Sequence, residues 1–172
     1  MRSVCLMIAR LSLAAWIGAA ALFVATSIRE VRSRQAGFDF EFDSTTRDQL
    51  VTLRFPLYYR YGFALVGAGL AAGLAAYGHP ALGRWRSRIA LALLAIALAS
   101  MVADYVWVYQ PLARMIDPPG GTKPAEFVTY HNASKWINET NVSLVLIAAA
   151  LLSWPSRREQ QGPATASPSG GR

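Results

Sequence analysis

The chain has 172 residues, 53% hydrophobic and 16% charged, where soluble domains average roughly 45–50% and 25%; that skew argues against an ordinary water-soluble domain. Seventeen Lys and Arg against ten Asp and Glu give a net charge of +7. Most of the excess flanks apolar blocks, so it reads as a topology signal and implies no nucleic-acid partner. Cys5 is the single cysteine, which excludes an internal disulfide and a multi-cysteine metal site.

Four apolar blocks predict an all-α, four-helix transmembrane bundle over residues 1–155, with spans near 8–28, 57–78, 88–110 and 135–154. In the first, Leu11 to Ile28 gives eighteen residues without a charge, enough to cross a bilayer core at about 1.5 Å per residue. A cleavable signal peptide competes, because Arg2 and Arg10 precede the stretch and Ala25-Thr26-Ser27 resembles a small-residue cleavage site. The apolar run exceeds the usual ~7–15-residue signal core, and three more blocks follow, which favours a retained span.

Between the first two spans, Phe38, Phe40 and Phe42 alternate with Asp39, Glu41 and Asp43, a period of two suited to a short extended segment on the membrane surface. Thr45 and Asp48 match a capping box opening a helix that Pro56 would interrupt or kink. The second span, centred on Gly62 to Gly78, has the aromatic entrance Phe55 to Tyr61, as expected at headgroup level. Gly62, Gly69 and Gly73 suit close helix approach, within the chain sooner than between chains.

The third span runs from about Ile89 to Tyr109, with Asp104 its only charge. An ionisable group there costs several kcal/mol unless paired, neutralised or wetted. Arg60, at a similar depth, is the expected partner; a helix clamp, an ion or proton role and a substrate contact are the competing readings. Asp117-Pro118-Pro119-Gly120-Gly121 breaks the chain, and one helix is expected from Pro124 through the fourth span. Val142 to Trp154 alone is thirteen residues; extension to Lys135 gives twenty if Asn138 and Asn141 face protein. Residues 156–172, rich in Pro, Ser and Gly, read as a disordered cytoplasmic tail.

His131, Ser134, Asn138 and Asn141 share one stripe of the last helix. They read either as polar glue between helices or as a shallow pocket formed with Asp104, Tyr58, Tyr59 and Arg60. One His and one Asp are too few for a metal centre, with His79 expected at the opposite face, so neither metal nor cofactor is expected. The three Asn-x-Ser/Thr sequons at Asn132, Asn138 and Asn141 lie in or beside this stripe, and no nucleotide-loop, nucleophile-elbow or zincin pattern occurs. Basic residues dense in short segments at Arg84, Arg86, Arg88, Arg2, Arg10, Arg157, Arg158 and Arg172 put both termini in the cytoplasm.

With Trp16-Ile17-Gly18, Leu53-Arg54-Phe55-Pro56-Leu57-Tyr58-Tyr59, Asp104 through Trp107 to Pro111, and His131-x-x-Ser134-x-x-x-Asn138, residues 8–154 resemble the transmembrane protein 205-like family. Its bacterial members carry a four-helix membrane domain of unknown function. Asp104 departs from that pattern, which has Asn, and Phe38 to Asp43 has no counterpart. The layout is more weakly similar to anthrone-oxygenase-like membrane proteins, which also carry a His before the last of four spans. The resemblance implies a multi-pass protein of the cell (inner or plasma) membrane and supplies no reaction. The expected role is non-enzymatic, a small assembly or transport-related component surrounded by lipid bilayer, with a homo-oligomer or another membrane protein as candidate partner. The alternatives are a membrane enzyme on a lipophilic substrate using His131 and Asp104, and an oligomeric small-ion or solute transporter.

Overall fold

A computed structural model describes residues 1–32 and 43–154, and the regular elements among them are all helices: α1 (Arg2–Arg32), α2 (Ser44–Ala75), α3 (Arg84–Ala103), α4 (Gln110–Ile116) and α5 (Phe127–Ser153). A six-residue π turn, Asp104–Tyr109, joins α3 to α4 as one rod. Pro111 accounts for this turn. It has no N–H for the carbonyl of Trp107 and its ring crowds that carbonyl, so the preceding turn widens, and Gln110 N–H reaches back five residues to Tyr105 O.

Three stretches, Arg2–Glu30, Arg84–Ile116 and Phe127–Ser153, are long and apolar enough to cross a membrane. The expectation of four such spans is therefore met for three. In α2, Tyr58, Tyr59, Arg60 and Tyr61 followed by glycines 62, 67, 69 and 73 dilute the apolar content that Leu and Ile give the other rods. The exterior of the helices carries Leu22 at 67% exposure and Ile96 at 56%, while Asp104 is 0% exposed. That inversion, with greasy residues outside and a carboxylate inside, suits hydrocarbon as the surrounding solvent.

α1 lies mainly along α2 and α3 mainly along α5, with α2 against α3 and α1 against α5 closing the bundle. Glycine sets the first of these distances. A Cβ at Gly69 would stand 2.7 Å from Leu13 Cδ2 of α1, one at Gly73 would stand 2.9 Å from Leu91 Cδ2 of α3, and one at Gly62 would collide with Met101 and press on Trp16. The small-residue stripe thus serves packing within the chain. Leu13, Trp16, Val66, Leu94, Met101, Val145 and Leu152 fill the core between the rods.

Several local expectations need correction. The N-cap of α2 is Asp43, whose carboxylate accepts from Thr46 N–H at 2.6 Å; the Thr45–Asp48 box does not form, because Asp48 turns to a different partner. The helix runs on through Pro56 without interruption. The expected helix through span four does begin after Pro124, whose carbonyl accepts from Phe127 N–H. The extended reading of residues 38–42 and the disordered reading of 156–172 fall outside the described residues.

Candidate functional site

Asp104 opens the π turn and is fully buried. Tyr59 of α2 donates its hydroxyl to Asp104 Oδ2 at 2.6 Å, and Asn138 of α5 donates from Nδ2 to the same oxygen at 3.1 Å. The Asn138 amide also donates to Ser134 O at 2.9 Å and Ser134 Oγ at 3.2 Å. Three rods therefore meet on one carboxylate oxygen, inside a collar of rings: Tyr59 lies 4.9 Å from Tyr109 and 5.1 Å from Tyr105 between centroids.

Of the predicted cluster, Tyr59, Asp104, Ser134 and Asn138 come together. Tyr58 is buried beside them but packs on Trp16 at 4.8 Å and Phe23 at 4.6 Å, so it is a core aromatic. The expected Asp104–Arg60 pair does not exist, since Arg60 is exposed. On α2 the inward face is set by Tyr58, Tyr59, Gly62, Val66, Gly69 and Gly73, and at about 100° per residue Arg60 falls outside that face. Asn141 is buried as expected, yet its side-chain O and N have no partner among the described residues; Asp104 Oδ1 and Trp16 Nε1 are likewise unpartnered.

His131 also stands apart. Its ring is exposed and stacks on Phe127, 5.9 Å between centroids and 6° from parallel. It shares the stripe of Asn138, but it lies one turn beyond Ser134, where α5 has left the bundle interior. There it faces a separate cavity of about 380 Å³ at the N-terminal ends of α2 and α5. Val51, Phe55, Tyr109, Leu112 and Ile116 form the apolar wall, while Ser44, Arg47, Asp48, Lys123 and His131 supply the polar lining.

Asp48, a residue that sequence reasoning assigned to a helix cap, is the anchor of this second region. It is 5% exposed, accepts from Gly120 N–H at 2.9 Å and pairs with Lys123 at 2.8 Å. Burial pushes its carboxyl up, but the Lys123 and Gly120 hydrogen bonds with the charges of Lys123 and Arg47 outweigh that and leave it below the ordinary carboxylate range. Gly120 holds φ at +81°, and a Cβ there would collide with Thr45 Oγ1, so this bend of the Pro-Pro-Gly-Gly loop requires glycine to present its N–H. No local sequence signal marked this anchor, whose partners lie 72 and 75 residues away.

At the far end of the bundle, Arg10 donates to Leu152 O at 2.9 Å and Arg86 to Trp154 O at 3.2 Å, two carbonyls at the C-terminus of α5, where positive charge also meets the negative end of the helix dipole. His79 contacts Ser3 at 3.0 Å there. The two histidines are thus associated with opposite helix ends. Among the described residues no three His, Cys, Asp or Glu side chains gather in a metal-binding group. A scan against protein-family models, a search of curated proteins and a search of solved structures return no match to this chain.

Proposed function

We propose that this protein is a four-span integral membrane protein of the cell membrane, with both termini cytoplasmic and a non-enzymatic role as a small assembly or transport-related component. In this reading α2 is the fourth span, its glycines seated against α1 and α3 and its outer face offering Leu57, Tyr61 and Leu74 to lipid. The observation that carries the proposal is the single oxygen of Asp104 accepting from both Tyr59 and Asn138. A carboxylate bound on three rods and closed off from solvent is built to hold helices together. The enzyme alternative needs His131 as acid or base within about 3 Å of a second group or one water away, and the exposed His131, stacked on Phe127, makes no hydrogen bond among the described residues.

Divergent membership of the transmembrane protein 205-like family belongs to the same proposal. Its support is that Tyr59, Ser134 and Asn138, all within the resembling segments, converge on position 104, where an Asn side chain would also offer an accepting oxygen.

Single-cysteine labelling in a Cys5→Ser background tests the topology. A membrane-impermeant maleimide should label Gln49→Cys and Thr122→Cys from outside intact cells and Ala81→Cys only after permeabilisation. Labelling of Gln49→Cys and Ala81→Cys from the same side would overturn the four-span arrangement. For the clamp, Asp104→Ala should lower the melting temperature more than Asp104→Asn, which retains an acceptor. Wild-type stability in both variants would refute it.

A further inference from the structure

The cavity beside His131 has an asymmetry of hydrogen-bonding capacity. Its one charged acceptor is engaged: Asp48 Oδ1 takes Lys123 and Oδ2 takes Gly120 N–H. Its charged donors are less so. Arg47 Nε is buried without a partner, and the ring nitrogens of His131 make no hydrogen bond among the described residues. Arg47 and Lys123 against Asp48 leave the lining with one net positive charge, before any charge on His131. Asp43, whose charge also feels Arg47, is outside the lining and already accepts from Thr46 N–H.

A cation would meet a lining of net positive charge whose one carboxylate is already engaged, leaving it only neutral oxygens such as those of Ser44 and Tyr109, whereas an anion finds a guanidinium N–H that is buried and unpaired among the described residues. The rest of the wall is apolar, through Phe55, the ring of Tyr109, Leu112 and Ile116. The volume of about 380 Å³ falls in the range of roughly 300–1,000 Å³ typical of small-molecule sites, enough for a small head and the first part of a chain.

We propose that this cavity binds an anionic amphiphile, a carboxylate or phosphate head held by Arg47 with an apolar chain along Phe55, Leu112 and Ile116. The head lies beside Arg47, which offers a charge-assisted hydrogen bond, with His131 as a second donor. Its depth at the headgroup layer rests on the four-span reading above; its donor and apolar surfaces do not. Two sources share this chemistry, a free fatty carboxylate and an acidic phospholipid of the surrounding leaflet.

Oleate and oleyl alcohol, alike in chain and different in head, are titrated against the full-length protein in phosphatidylcholine nanodiscs. Native mass spectrometry on discs doped with phosphatidylglycerol counts retained lipid in parallel. Oleate should bind about tenfold tighter than the alcohol, the ratio of one charge-assisted hydrogen bond, and Arg47→Gln should erase the difference while Arg47→Lys restores part of it. Such selectivity assigns a free carboxylate; retention of phosphatidylglycerol over phosphatidylcholine, lost in Arg47→Gln, assigns a membrane lipid. Ile116→Trp, which fills the wall, should abolish either signal. Equal binding of acid and alcohol together with no preference between the two lipids would overturn the proposal, and the wild-type protein alone decides this if a variant fails to fold. Selectivity for oleate in a protein whose cysteine labelling contradicts four spans would leave the site standing and remove only its placement.

Discussion

Asp104 and Asp48 are two buried aspartates with different company. Asp104 lies among helix interiors and is met by neutral donors, a phenol and an amide; Asp48 lies where helices end and is met by an ammonium and a backbone N–H. The difference follows from solvent. Inside the bundle a second full charge would need its own desolvation, and hydroxyls and amides lend directionality without it. At the helix ends a lysine keeps part of its side chain exposed, 35% for Lys123, so the ion pair is formed at lower cost.

The sharpest way to break this comparison is to empty each aspartate in turn. Asp104→Ala strands the Tyr59 hydroxyl in the interior, takes one of the acceptors of the Asn138 amide and leaves a cavity, and should cost about 3 kcal/mol in unfolding followed in mixed micelles. Asp48→Asn keeps an acceptor for Gly120 but discharges the pair with Lys123, and should cost about 1–2 kcal/mol. A larger loss at Asp48 than at Asp104 would reverse the ranking.

Acid sharpens it further. Because the folded carboxyl of Asp48 sits below its ordinary value, its stabilising contribution is complete above the unfolded value near ~3.9 and fades as pH falls through the folded value. Wild-type protein should therefore lose stability below about pH 4, and Asp48→Asn should flatten part of that slope. An unchanged slope in the variant would show that Asp48 is not the linked group.

Smaller effects refine the contrast. Arg54 makes a bidentate pair with Glu30, tying α2 to the end of α1 through bonds of 2.6 and 2.5 Å at 23% and 22% exposure. Arg54→Ala should cost about 0.5–1 kcal/mol, less at high salt, when unfolding is compared at low and high ionic strength. The smallest expected effect is at Asn141, whose amide makes no hydrogen bond among the described residues. Asn141→Leu should leave stability unchanged or raise it by up to ~1 kcal/mol, in contrast to Asn138; a marked loss would mean that Asn141 holds a bound water.

Three rods long and apolar enough to cross a membrane were legible because uninterrupted apolar length is itself the signal, and the packing role of Gly62, Gly69 and Gly73 followed from residue size. The second expected span, 57–78, does form a helix, but the same glycines with Tyr58 to Tyr61 keep α2 out of the set apolar enough to cross a membrane. Asp104, Ser134 and Asn138 could be assigned to one cluster because each is polar where hydrocarbon forbids it. Their partner was mistaken because charge alone favoured Arg60, whereas helical phase turns Tyr59 inward. His131 obeyed the stripe but not the depth, which periodicity does not encode. Asp48 was invisible as an anchor, since its partners Gly120 and Lys123 are 72 and 75 residues away and a local capping pattern offered a nearer explanation.

The most direct test of the bundle's organisation is a double-mutant cycle between Tyr59→Phe and Asp104→Leu, read as unfolding free energy of the full chain in mixed micelles. The account predicts a coupling of about 1–2 kcal/mol between the two positions. Additivity within about 0.3–0.5 kcal/mol would mean that the phenol and the carboxylate act independently, and the clamp between α2 and the third rod would not exist.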